Sequence, residues 1–245
     1  MTDRVLQDQI AYYRARAGEY DEWFYRVGRY DWGVERNAQW FAQVETVIQA
    51  LRDIGKIETA LELAAGTGNF TKELAMIADQ VVALDASPEV LEINRTKTSP
   101  PSPLSASSEG ERRANVEYQQ ADLFNWQPET QYDMVFMSFW MSHVPPEKLD
   151  GFLDMVRKAT KVGGQVFMLD SLRDKTRTST ASNHADYDPG SIYHTRKLND
   201  GQEYTIVKMF YDDKLVAKLA QHGFTAQYHT SGDYFWWAVG VKSNT

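Results

Sequence analysis

Apolar residues recur at helical spacing at Trp40, Phe41, Val44, Val47, Ile48 and Leu51, and the run stops at Asp53-Ile54-Gly55. Spacing of three and four puts these side chains on one stripe of a helix that must bury against something else. Beyond Gly55 the pattern shortens. Apolar runs near 59–63, 80–84, 116–119, 133–139 and 165–170 are too short for helices and predict strands. Segments near 70–78, 88–97 and 147–160 return to the helical period between them. Leu149, Phe152, Leu153 and Val156 form the stripe of the last, which Gly163-Gly164 is expected to terminate. Strands alternating with helices predict an α/β domain, doubly wound about a parallel sheet.

After the fifth strand the pattern changes again. Ile192–Leu198 and Glu203–Phe210 flank Asn199-Asp200-Gly201, a turn signal for an antiparallel hairpin. A helix near 212–222 follows, with Leu215, Val216, Leu219 and His222 on one face. Strands near 224–230 and 233–241, around Ser231-Gly232-Asp233, close the chain and predict a seven-stranded sheet with an antiparallel last strand. Residues 1–55 read as an N-terminal helical, aromatic cap with the first packing helix, and 56–245 as the core. Residues 98–113 are dense in Ser and Pro and lack an apolar period, so they read as a disordered surface insertion without chemistry.

Composition narrows the partners. The 245 residues, 42% hydrophobic, supply one sizeable domain with elaborations. A net charge of −8 removes the electrostatic basis for holding phosphate backbones, so nucleic acid is not an expected partner. The absence of cysteine excludes a disulfide framework, a Cys-ligated zinc site and a thiol nucleophile. The five histidines show no ligand spacing, so no metal is expected. The first ten residues lack an apolar signal core, and no run reaches the length of a membrane span. The expectation is a soluble, cytoplasmic protein without a membrane partner.

Chemistry concentrates at 61–71, Leu-Glu-Leu-Ala-Ala-Gly-Thr-Gly-Asn-Phe-Thr. An apolar strand runs into a Gly-x-Gly turn and then a helix. Gly66 and Gly68 let the backbone approach a ligand, and the helix start offers unpaired N–H groups to an anion. About twenty positions on, the strand Val81-Val82-Ala83-Leu84 ends in Asp85, where doubly wound folds hold a ribose.

With these features the chain resembles a class I S-adenosylmethionine-dependent methyltransferase of the small-molecule type, over roughly residues 10–241. The family's first motif, acidic-apolar-x-x-Gly-x-Gly, falls on Glu62, Leu63, Ala64, Ala65, Gly66, Thr67 and Gly68, with Ala64 where a glycine is frequent. The resemblance implies a Rossmann-like fold and S-adenosylmethionine as cofactor. It implies that Asp85 holds the ribose hydroxyls, that Ala86 lies against the adenine, and that Asp122, beside Leu123, accepts from the adenine amine. It also carries Glu62, Ala64, Gly66, Gly68 and Ser138 into the cofactor site. Lys161-Val162-Gly163-Gly164 matches the turn before strand five, with Val162 where Pro is usual. The stretch Tyr12 to Tyr25 resembles an aromatic lid, from which Tyr20 is the leading cofactor contact, followed by Tyr12, Tyr13 and Arg16.

Methyl transfer from a sulfonium is an in-line displacement that needs alignment and exclusion of water more than acid–base assistance. His143, after the fourth strand, is the best-placed general base for an oxygen nucleophile; His184 and His194 are weaker candidates. Phe24, Tyr25, Trp32, Trp140 and Tyr187 are candidates to line an apolar substrate pocket. Trp236 and Trp237 read as sheet packing and His222 as a helix-end contact. The leading reading is methyl transfer to an oxygen or nitrogen of a small, apolar or aromatic metabolite. A dinucleotide-dependent oxidoreductase shares the glycine turn, but position 71 is Thr where its third glycine belongs. A non-catalytic cofactor-binding partner protein is the third alternative.

Overall fold

The computed structural model describes residues 2–98, 115–173 and 190–244. Helices α1 (Thr2–Ala15) and α2 (Tyr20–Phe24) and a single 3-10 turn (Gly28–Tyr30) precede the long α3 (Val34–Arg52). The core then runs β1 (Ile57–Leu63), α4 (Thr71–Ile77), β2 (Ala78–Asp85), α5 (Pro88–Thr98), β3 (Asn115–Gln120), β4 (Tyr132–Ser138), α6 (Pro146–Ala159) and β5 (Thr160–Ser171). It finishes with β6 (Tyr193–Lys197), β7 (Glu203–Val207), α7 (Leu215–Gln221), β8 (Phe224–Thr230) and β9 (Phe235–Lys242).

Seven strands pair in the order β3-β2-β1-β4-β5-β9-β8, with β9 running against both its neighbours. The order descends to β1 and resumes at β4, so the connections after these two strands leave on opposite faces and open a crevice at their carboxyl ends. Alternation along β4 fills both faces. Met134 and Phe136 meet Trp40, Val44, Val47, Ile48 and Leu51 of α3, while Val135 and Met137 meet Phe152, Leu153 and Val156 of α6. Burial on both sides explains why these strands read as continuous apolar runs. Phe41, assigned to the α3 stripe, is instead 41% exposed. Trp236 is fully buried and stacks on Tyr228.

One element differs from expectation. Gly163-Gly164 does not end α6, which stops at Ala159; the glycines lie within β5, where the register with β4 jumps from Tyr132↔Thr160 to Met134↔Gln165. Gly163 has φ +75°, and a Cβ on Gly164 would stand 2.9 Å from the carbonyl oxygens of Asp133 and Lys161. A bulge with that geometry requires glycine. The hairpin β6–β7 forms a separate two-stranded sheet that packs on α1. Buried Gln9 joins them: its Oε1 accepts from Val207 N at 3.1 Å and its Nε2 donates to His143 O at 3.2 Å. Tyr12, Leu198 and Ile206 form a small apolar cluster behind this link. Residues 99–113 of the expected insertion, with His184 and Tyr187, lie outside the described residues. Among the described residues, no helix is long and apolar enough to cross a membrane.

Candidate active site

A cavity of ≈ 440 Å³ opens in the crevice between β1 and β4. Ala64 and Gly66 from the loop after β1, Asp85 and Ala86 from the end of β2, Asp122 and Leu123 from beyond β3, and Ser138 and Trp140 from the end of β4 line it. Leu6, Gln9, Ile10 and Tyr13 of α1 face these residues, and Tyr20 and His143 complete the lining.

Glu62 and Gly68 lie beneath the loop rather than in the cavity. Buried Glu62 accepts from Thr71 Oγ1 at 2.6 Å, and Asn94 Nδ2 donates to Thr71 Oγ1 at 2.7 Å and to Gly66 O at 3.2 Å. A Cβ on Gly68 would stand 2.5 Å from Asn94 Oδ1, so the missing side chain is what lets α5 approach the loop. Burial pushes the Glu62 carboxyl up to about 8, which keeps it protonated at neutral pH. Asn94 has no motif signal in the sequence, yet it ties the loop carbonyl to the helix.

Asp85 accepts from Gly66 N through Oδ2 and from Ser87 N through Oδ1, both at 2.9 Å. Each oxygen keeps a second acceptor position for a hydroxyl. Burial lifts this carboxyl to about 6 against the pull of the N–H donors. Asp122 is oriented by Phe124 N at 3.0 Å and Asn125 Nδ2 at 2.7 Å. Two residues at the mouth are held in the left-handed region, Ala64 at φ +54° and Phe139 at φ +55°. Side chains other than glycine occupy it at a cost of roughly 1–2 kcal/mol each. Ala65 N to Leu84 O and Phe139 N to Leu169 O, both 2.8 Å, hold the two turns in place.

A second cavity of ≈ 150 Å³ shares Tyr13, Tyr20, Phe139 and His143 with the first and is otherwise lined by the cap, the hairpin region and Ser171 of β5, including Tyr12, Arg16, Tyr30, Arg196 and Lys208. His143 is buried, and its Nδ1 lies 2.6 Å from Val207 O, which can only accept; Nδ1 therefore carries the proton. Nε2 is then an acceptor, 2.8 Å from the Tyr13 hydroxyl that donates to it. Burial, and then the Lys208 ammonium, hold the imidazole down to about 3, so it is neutral across the physiological range. Burial keeps the Tyr13 phenol protonated as well. Lys208 Nζ donates to Ser142 Oγ at 2.7 Å and pairs with buried Asp170 at 3.3 Å. The Arg16 guanidinium lies 5.5, 5.2 and 5.9 Å from the ring centroids of Tyr12, Tyr20 and Tyr30. Such contacts contribute ~0.5–2 kcal/mol each, which offsets part of the several kcal/mol cost of a buried ion and leaves its field uncancelled.

Of the residues expected in a substrate pocket, Trp140 lines the larger cavity against Phe124, with ring centroids 5.5 Å apart. Phe24 packs in the core on the α3 side and reaches only a hollow of ≈ 20 Å³ beside the loop. Tyr25 is 41% exposed and donates to Asn69 Oδ1, and Trp32 packs on Trp40 and Tyr234, away from both cavities. Neither has the cavity-facing place expected of it. Tyr187 lies outside the described residues. Arg196 and Lys208 were not signalled by any motif. The usable signal is on β6, where the inward positions of the alternation are His194 and Arg196 rather than apolar residues. Among the described residues no His, Asp and Glu cluster could hold a metal ion.

A family model described as a methyltransferase domain matches residues 60–164, from β1 to the bulge in β5. The DhpI-SAM-HEP complex is 30% identical over 97% of each chain, with a TM-score of 0.73; the DhpI-SAH complex is 29% identical over 100% of each, with a TM-score of 0.75. Phosphoethanolamine N-methyltransferase 1 of Triticum aestivum is 28% identical over 117 residues, which are 46% of this chain and only 21% of that protein. The acceptors lining the larger cavity suit the hydroxyls and amine of an adenosyl group. Likeness extending over 97% of both chains to a protein solved with SAM makes the assignment: the chain belongs to the class I S-adenosylmethionine-dependent methyltransferases, and S-adenosylmethionine is its cofactor.

Proposed function

We propose that the chain transfers a methyl group from S-adenosylmethionine to an oxygen or nitrogen of a small molecule seated in the smaller cavity. The observation that carries this reading is the shared wall of the two cavities, Tyr13, Tyr20, Phe139 and His143. A molecule there lies against the same four side chains that border the larger cavity. Bound in the larger cavity, the cofactor supplies a methyl group on a sulfonium, whose departure returns an electron pair to sulfur and leaves a neutral thioether.

The chain's own residues then align and enclose. In this reading Asp85 accepts from the ribose hydroxyls, Ala86, Asp122 and Leu123 receive the adenine, and Tyr20 and Ser138 border the methionine end. Helix α1 keeps water from the reacting atoms. The Tyr13 hydroxyl donates to His143, so its oxygen faces the cavity as an acceptor for the hydrogen of a hydroxyl or amine. That hydrogen bond turns the acceptor's lone pair toward the methyl carbon. A hydroxyl proton becomes strongly acidic only as the new C–O bond forms, so a base as weak as this imidazole suffices at the end of the Tyr13 relay.

Methyl transfer is tested by following S-adenosylhomocysteine release and the methylated product across a panel of small hydroxyl and amine compounds. The expected result is turnover by the wild-type chain, lowered roughly 10²- to 10⁴-fold in His143→Gln with S-adenosylhomocysteine affinity unchanged. Unaltered turnover in the variant would remove His143 from the reaction. A chain that binds S-adenosylhomocysteine yet methylates nothing in the panel would favour a non-catalytic binding role.

A further inference from the structure

We infer that the smaller cavity is an anion site, and that the acceptor molecule carries a phosphoryl or phosphonyl dianion seated among Arg16, Arg196 and Lys208. The inference rests on the proposed use of this cavity for the acceptor and adds its chemical class.

The three cations come from distant parts of the chain: Arg16 follows α1, Arg196 lies on β6, and Lys208 follows β7. They converge on one small space that no Asp or Glu lines among the described residues. Arg16 and Arg196 are each only 9% exposed. Arg16 donates to the Tyr30 hydroxyl at 3.3 Å, and its buried Nε has no acceptor. Arg196 reaches the neighbouring Thr195 carbonyl at 3.3 Å. Neither guanidinium pairs with a carboxylate among the described residues. Lys208 alone does so, with Asp170.

Against that single carboxylate and a neutral His143, the three cations leave two positive charges. A phosphoryl group carries a charge of about −1.5 to −2 near neutral pH and presents three acceptor oxygens. A monocarboxylate would leave one cation uncompensated. Guanidinium forks suit such oxygens, and two forks plus an ammonium match a tetrahedral group approached from several sides. Burial and then the neighbouring Arg16 hold Arg196 below its usual range, while burial and Arg196 act in the same direction on Lys208. Arg196 and Lys208 are thus each burdened by a neighbouring cation, a repulsion that an incoming anion relieves. The aromatic walls around Arg16 solvate a guanidinium without neutralising it.

The test is a calorimetric titration of the full chain with inorganic phosphate, with and without saturating S-adenosylhomocysteine, and with acetate at matched ionic strength as the control. Phosphate is expected to bind the wild-type chain better than acetate. Its affinity should fall roughly 10- to 100-fold in Arg196→Gln and in Arg16→Gln, the loss of a hydrogen bond to a charged group. Arg196→Lys should recover part of that loss, and a cooperative thermal unfolding transition kept in all three shows that they are folded. Among matched acceptors such as ethanolamine and phosphoethanolamine, turnover should favour the phosphorylated member. Absence of phosphate binding, equal affinity in wild type and both Gln variants, or preferred turnover of uncharged acceptors would overturn the inference. A wild-type chain that binds phosphate but not S-adenosylhomocysteine would instead fell the methyltransferase reading and leave the anion site standing.

Discussion

Asp85 serves two sides of the site at once. It ends β2 by accepting from Ser87 N, fixes the cofactor loop by accepting from Gly66 N, and still borders the cavity. Because burial raises it to about 6 without ligand, its charge changes within reach of ordinary buffers. In the proposed reading ribose hydroxyls donate to the ionised form, so S-adenosylhomocysteine binding should be full well above pH 6. It should weaken as pH falls through 6, approaching about tenfold per unit below it. Asp85→Ala should flatten that dependence and cost about 1.5–3 kcal/mol of binding. Equal affinity at pH 5 and pH 7 in the wild-type chain would contradict the assignment. That Asp85 lines the cavity was legible from its spacing after the glycine turn, and the same place for Ala64 and Asp122 from the family resemblance. Which side of the loop a residue faces was less so: Gly68, expected to let the backbone approach a ligand, makes room for Asn94, while Glu62 braces the loop through Thr71. Arg196 and Lys208 were hidden for another reason. About 180 and 190 positions separate them from Arg16, and only the docking of the hairpin on α1 brings the three together.

That docking is the main event at the scale of elements. Gln9 of α1 satisfies the buried Val207 N–H of β7 and holds the His143 carbonyl, joining the cap, the hairpin and the turn after β4. Gln9→Ala should leave the Val207 donor without an acceptor, lowering stability by about 1–3 kcal/mol in denaturant unfolding. It should also loosen the lid, seen as faster S-adenosylhomocysteine release in stopped-flow measurements. An unchanged unfolding midpoint would show that the link carries no weight. The strands and helices themselves were readable because both faces of the sheet are buried and the helical stripes are regular. Gly163-Gly164 was misread because a glycine after an apolar helix signals a C-terminal cap as readily as a strand bulge, and the local sequence does not separate them. The hairpin was visible from Asn199-Asp200-Gly201; its packing on α1 was not, since the docking leaves no periodic trace.

At the scale of the molecule, a chain of net charge −8 encloses a cavity walled by three cations. Bulk charge bears on solubility and on extended polyanions, whereas a site is set by the few groups that face it. In the proposed reading the crevice between β1 and β4 receives an S-adenosyl group. Calorimetric titration of the full chain with S-adenosylhomocysteine, with NAD(H) as the control, addresses it most directly. One site per chain is predicted, with a Tm rise of about 5–10 °C at a hundredfold excess over Kd, the shift that ~2.7 kcal/mol produces in a domain of this size. Absence of both heat and thermal shift with S-adenosylhomocysteine, or binding of NAD(H) in its place, would contradict the account.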